Sequence, residues 1–246
     1  MYKLLAPIVL ACCAAPLAAQ DVPVSADRLK ADVERLVSFG TRHTLSSQDD
    51  PKRGIGASLR WAEAEFRRIA QGCKGCLEVA MPETTVTGDR IPNPVRLRNV
   101  IAIQRGSERP DEVVIVQAHI DSRVTDVMDA ASDAPGANDN GSGSALVIEA
   151  ARVLSQRGPY PSTIVYALLS GEEQGLHGGR LLADYATAQG WTVKAVLNND
   201  IVGGSCGSDG LCDDRTVRVF SEGLRADSTD RLRAQQARNG GENDSP

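Results

Sequence analysis

Aromatic residues make up only 4% of this chain, so Ala, Val, Leu and Ile must fill its core. No block of lysines and arginines stands out. With 27 basic and 32 acidic residues and a formal charge of −5, nothing argues for a nucleic-acid partner. No apolar run reaches the ~20 residues of a membrane span, and no segment repeats. What remains is a chain of 246 residues, enough for one α/β domain with a proper core.

Met1 to Gln20 reads as a secretory signal. Lys3 is its positive start, Leu4 to Leu17 is apolar, and Ala18 and Ala19 precede a cut near Gln20. A lipoprotein reading through Cys12 meets a poor lipidation box, because Leu10 and Ala11 stand before it. The expected location is secreted or periplasmic, with no membrane attachment after cleavage and residues 21–246 as a single domain. Cys73, Cys76, Cys206 and Cys212 then remain, and an even count in an exported protein suggests disulfides. The sequence-local pairs Cys73–Cys76 and Cys206–Cys212 are the simplest. A four-cysteine zinc site would want a second Cys-x-x-Cys, and a redox pair would want a thioredoxin-like βαβ context; neither is present.

The early chain reads as helical. Ser25 is a credible N-cap, Leu29, Val33, Leu36 and Val37 follow at helical spacing, and Gly40 ends the helix. A polar, turn-rich stretch leads to a second amphipathic helix over 57–70 and a strand over 77–81. From Arg96 the pattern becomes α/β. Strands are expected over 97–104, 112–119, 163–169 and 193–197, with one more at 216–220, and helices over 144–154 and 178–188. Val113-Val114-Ile115-Val116 is apolar on both faces, as in a central strand. Residues 240–246 read as loop.

Four acidic segments are threaded through this pattern: His119-Ile120-Asp121-Ser122, Asn138-Asp139-Asn140-Gly141, Ser170-Gly171-Glu172-Glu173 and Asn198-Asn199-Asp200. Three follow runs that read as buried strands, and the segment around Asp139 opens a helix. Each has an ordinary reading alone. His119 can be a polar strand end, Asp139 an N-cap, Glu172-Glu173 a solvated pair, Asp200 a turn residue. Together they deliver one imidazole and several carboxylates to the strand ends, where an open α/β sheet collects its functional groups. That makes an oxygen-rich site for divalent metal, with Glu172 left as a possible base. Asp121 shares the side-chain parity of His119 and can fix its tautomer.

The order His-x-Asp, Asp-Asn-Gly-Ser-Gly, Ser-Gly-Glu-Glu-x-Gly-Leu and Asn-Asp resembles the co-catalytic zinc exopeptidases of the bacterial leucyl aminopeptidase and aminopeptidase Y type, from about Asn99 to Gly203. With the strand and helix pattern, the resemblance implies a three-layer α/β/α sandwich with a mixed, mainly parallel central sheet. It also implies two Zn2+ ions per complete site. His119 and Asp200 would hold one, Asp139 would bridge, Glu173 would hold the second, Glu172 would be the general base, and Asp121 would orient His119. The family uses a further histidine beyond the Asp200 position. The histidines here are His43, His119 and His177, so the catalytic domain is expected to be C-terminally incomplete. His177 is a weak substitute among its glycines, and His43 reads as a surface residue. The implied function is removal of the terminal residue of peptide substrates by two-zinc-activated water, as an aminopeptidase. The alternatives are a carboxypeptidase or dipeptidase on the same site, or a non-catalytic homologue that binds metal or a partner only.

Overall fold

The computed structural model describes residues 22–207, 209–217 and 219. The signal reading of residues 1–20 and the loop reading of 240–246 therefore lie outside the described residues. So does part of the strand expected at 216–220, and Thr216, Val217 and Val219 are irregular.

Helix α1 (Ala26–Val37) is capped as its sequence suggests: the Ser25 hydroxyl accepts from the Arg28 amide at 3.3 Å. Helix α2 (Ile55–Gly72) buries Leu59, Ala62, Phe66 and Ile69 along one face. A short strand β1 (Glu78–Ala80) and a hairpin, β2 (Glu83–Gly88) with β3 (Ile91–Arg98), precede the main sheet strands β4 (Val100–Gln104) and β5 (Arg109–His119). Helix α3 (Gly143–Ser155), strand β6 (Ser162–Leu169), helix α4 (His177–Ala188) and strand β7 (Thr192–Asn198) follow. The single strand expected over 97–104 is in fact two. Asn99 separates β3 from β4, and its buried amide accepts from the Ser170 N–H and donates to the Gly178 carbonyl, so it tethers the loop after β6.

The main sheet has the order β1-β4-β6-β5-β7. Strands β6, β5 and β7 run parallel, while β1–β4 and β4–β6 pair antiparallel. One face packs against α1, α2 and α3 through Leu36, Leu59, Phe66 and Val147. The other is covered by α4 and the following turn, through Leu182, Tyr185 and Trp191. Helices on both faces make the three-layer sandwich. Strand β7 departs from its apolar sequence. It lies at the sheet edge, and Val193, Val196 and Leu197 are 41%, 50% and 54% exposed. Among the described residues no helix is long and apolar enough to cross a membrane.

Cys73 and Cys76 form a disulfide at the end of α2. The described residues from Val202 onward belong to a second unit, which contains the Cys206–Cys212 disulfide.

Candidate metal centre

Parallel strands β5 and β6 end side by side, with His119 opposite Leu169. The site therefore opens at one edge of the sheet, past the C-terminal ends of β5, β6 and β7. His119 is buried, and the Ser144 hydroxyl in the first turn of α3 holds its carbonyl at 2.8 Å. The imidazole Nδ1 faces Asp121, 3.2 Å from its carbonyl oxygen and 3.5 Å from Oδ1. Nε2 points the other way, 3.2 Å from Asp139 Oδ1 and 3.5 Å from Asp200 Oδ1. Burial opposes charge on this ring. The hydrogen bond and charge of Asp121, with the carboxylates of Asp200 and Glu172, outweigh it and push the pKa up to about 9.

Asp121 is fully buried. Its carboxylate accepts from the backbone N–H groups of Glu172 and Glu173, each at 3.2 Å, and from the Thr44 hydroxyl at 3.1 Å. Burial alone would raise its pKa, yet His119 and the two amides hold it below the usual carboxylate range. Asp121 thus joins the ends of β5 and β6 and keeps its charge under the imidazole.

Asp139 does not cap a helix. It sits in an irregular turn, Ala137–Ser142, with extended backbone at Asp139, before α3 begins. Its neighbour Asn140 donates from its side chain to the Asn199 carbonyl at 2.9 Å and accepts from the Gly143 N–H at 3.0 Å. Asn199 in turn donates from backbone and side chain to the Gln117 carbonyl. This chain of amides brings the Asp139 turn and the Asp200 strand end together. Gly143 is required there, because a Cβ at that position would stand 2.2 Å from the Asn199 carbonyl oxygen.

His119, Asp139 and Asp200 are the group able to hold a metal among the described residues, with donor atoms all within 4.8 Å of one another. Zinc bonds to nitrogen and oxygen of about 2.0–2.2 Å give tetrahedral edges of about 3.3–3.6 Å. The separations of 3.2 and 3.5 Å lie within or close to that range, and the nitrogen and oxygen donors suit zinc.

Glu172 lines a cavity of about 420 Å³ together with His119, Asp200, Leu169, Leu176 and Arg180. Burial, with the charges of Asp121, Glu173 and Asp200, raises its pKa against the pull of His119. Glu173 lies outside the three-ligand group. Its Oε2 accepts from Arg123 Nε at 2.6 Å, a partner the sequence reading missed. Burial raises its pKa too, and Arg123 counters that rise.

His43 corrects the surface reading. It is wholly buried: Nδ1 accepts from the Leu45 N–H at 3.1 Å, and Nε2 stands 3.0 Å from the Val127 carbonyl. Thr41, Arg42 and Thr44 are buried with it. Four consecutive polar residues were the available signal for a buried support, and nothing in their order says what lies above them.

The profile of peptidase family M28 matches residues 99–236, more than half of the chain. The chain belongs to peptidase family M28. A probable zinc metalloprotease from Leptosphaeria maculans is 47% identical over 224 residues, a match covering 91% of this chain and 52% of that one. The chain thus spans about half the length of that relative. Among solved structures, a leucine aminopeptidase precursor from Bacteroides thetaiotaomicron superposes with a TM-score of 0.60 at 19% identity, covering 76% of this chain and 65% of that chain. Porphyromonas gingivalis glutaminyl cyclase gives 0.58 at 22%, covering 74% and 62%. At such identities these two structures speak for the fold alone. Within the M28 match lie all four acidic segments, from His119 to Asp200.

Proposed function

We propose that this M28 protein is an exported, zinc-dependent exopeptidase that removes the terminal residue of peptides, acting as an aminopeptidase. The observation that carries the reading is the three-donor group His119, Asp139 and Asp200, of which His119 and Asp200 line one cavity with Glu172. His119, Asp139 and Asp200 would hold one zinc, and Asp139 and Glu173 would hold a second. Bound zinc would polarise the scissile carbonyl and acidify water. Glu172 would take the proton of the attacking water and return it to the leaving amine, a role suited to a carboxylate whose pKa is raised. Asp121 would keep the Nδ1 proton in place so that Nε2 stays a ligand. Residues 21–246 would form a single catalytic domain, and among the described residues Asp139 and Glu173 are the ones assigned to the second metal. The Met1–Gln20 signal and the disulfides support a secreted or periplasmic location.

Glu172→Gln in the full-length protein is the test. It should keep its zinc and lose about 10²–10⁴-fold in activity, the usual contribution of a general base. Full activity in that variant would remove Glu172 from the mechanism. Peptides blocked at one end separate the exopeptidase readings. An amidated peptide should be cut and an acetylated one spared; the reverse outcome would make the enzyme a carboxypeptidase.

A further inference from the structure

Arg42 is 1% exposed, yet the catalytic reading gives it no task. Its guanidinium is spent on backbone carbonyls. Nε donates to Ile120 at 2.7 Å, one Nη to Leu36 at 3.1 Å and Pro135 at 2.8 Å, and the other Nη to Gly136 at 2.9 Å. Ile120 immediately follows His119. Pro135 and Gly136 lead the turn that carries Asp139. Leu36 lies in the last turn of α1. The backbone at Arg42 adds a fifth tie, since its N–H donates to the Ser122 hydroxyl, which donates to the Ala134 carbonyl.

We propose that Arg42 is a positioning residue for the metal centre: its planar fork sets the distance between the His119 strand end and the Asp139 turn. The proposal rests on the reading that His119, Asp139 and Asp200 hold the metal.

Three features support it. One side chain bonds the Pro135 and Gly136 carbonyls to the Ile120 carbonyl, beside the Ser122–Ala134 bond, and Gly136 has a left-handed φ of +45° with the space beside it filled by the Asp139 carbonyl, Ser122 and the Arg42 Nη. A guanidinium presents several N–H groups in one rigid plane, so it can hold carbonyls from separate segments at fixed spacing; an ammonium is a point donor on a flexible stem. The charge also matters. Asp121 and Asp139 both favour the charged guanidinium, and although burial lowers its pKa to about 10 it stays charged at neutral pH. A fixed buried cation offsets part of the repulsion among carboxylates gathered around His119.

The test uses the full-length protein, stripped with chelator and titrated with zinc against a chromophoric competitor. Co2+ titration adds the visible d–d spectrum, which reports ligand geometry. The variants are Arg42→Gln and Arg42→Lys. Two controls frame them: His119→Ala removes a ligand, and Tyr166→Phe removes a buried hydroxyl bonded to Gln104, away from the site. Wild type should bind zinc and His119→Ala should lose it. Arg42→Gln should weaken zinc at least tenfold and alter the Co2+ spectrum, while Tyr166→Phe changes neither. Arg42→Lys should resemble Arg42→Gln, because charge without the fork does not set spacing. Wild-type zinc affinity in Arg42→Gln, with His119→Ala deficient, would overturn the positioning role alone. Wild-type affinity in Arg42→Lys would show that charge, not the fork, is what matters. If His119→Ala bound zinc like wild type, the metal reading itself would fall and this inference with it. If neither Arg42 variant folds, Arg42 is a general core strut and the proposal fails.

Discussion

Asp121 carries more of the site than its separation of two residues from His119 suggests. It faces the imidazole, accepts two amides from the Glu172–Glu173 turn and accepts the Thr44 hydroxyl. Asp121→Asn leaves the size but removes the charge, and its amide would confront two N–H donors. Zinc affinity should fall by about 10–100-fold, the usual effect of losing the partner of a ligating histidine. Competition titration measures this, and an unchanged affinity would mean Asp121 serves the fold alone. At this scale the acidic residues were legible because each stood beside a strand end or a glycine turn. Arg42, Thr44 and Arg123 were not, because their roles depend on contacts with segments 50 to 94 residues away. The buried Thr41–Thr44 run shows why polarity alone misleads: polar residues with satisfied donors and acceptors can be core.

Among elements, helix α1 holds an unused titratable group. Asp32 is buried, and its Oδ2 has no hydrogen-bond partner. Burial, then the nearby Glu65, raises its pKa from 3.8 to about 6. Because the folded pKa is raised, the protonated carboxyl favours folding fully below about pH 4, and that advantage is lost as pH rises through about 6. Asp32→Asn should therefore stabilise the protein at pH 8 by about 1–3 kcal/mol and change little at pH 4. Denaturant unfolding at the two values checks both the size and the sign; a larger gain at pH 4 would contradict it. Helices and strands were legible from periodicity, and α1, α2, α3 and α4 lie close to where their apolar spacing put them. The break at Asn99 was not legible, since an asparagine that ties two loops looks like any polar residue in a strand. Nor was the exposure of β7, because a Val and Leu run reads the same at a sheet edge as in its centre. Val196→Lys on that edge should improve solubility, by putting a charge on a strand whose Val and Leu side chains are exposed among the described residues. Static light scattering compares the two proteins, and equal aggregation would show that β7 is not the adhesive surface.

For the whole molecule, the sandwich brings three metal-compatible donors together past the ends of its parallel strands, with the proposed second position beside them. His119, Asp139 and Asp200 converge, whereas Glu173 is engaged by Arg123. Three protein ligands plus water form a normal catalytic zinc shell, while two leave an ion easily lost. The 246-residue chain by itself should thus keep at most one zinc after dialysis and show negligible turnover of amino-acid arylamides. Two retained zincs with robust turnover would mean that another group, such as His177, completes the second position. The architecture and the converging triad could be reached from the order of motifs, because strand ends on one sheet edge are neighbours whatever the loops do. The second position could not, because a ligand's orientation depends on which partner it finds.

The central claim is that a metal binds at Nε2 of His119. Diffraction from crystals grown with zinc, collected on both sides of the zinc absorption edge, tests it most directly. An anomalous peak should stand about 2.0–2.2 Å from His119 Nε2 and from carboxylate oxygens of Asp139 and Asp200. A peak bound elsewhere, with those three side chains still paired only to one another, would contradict the account.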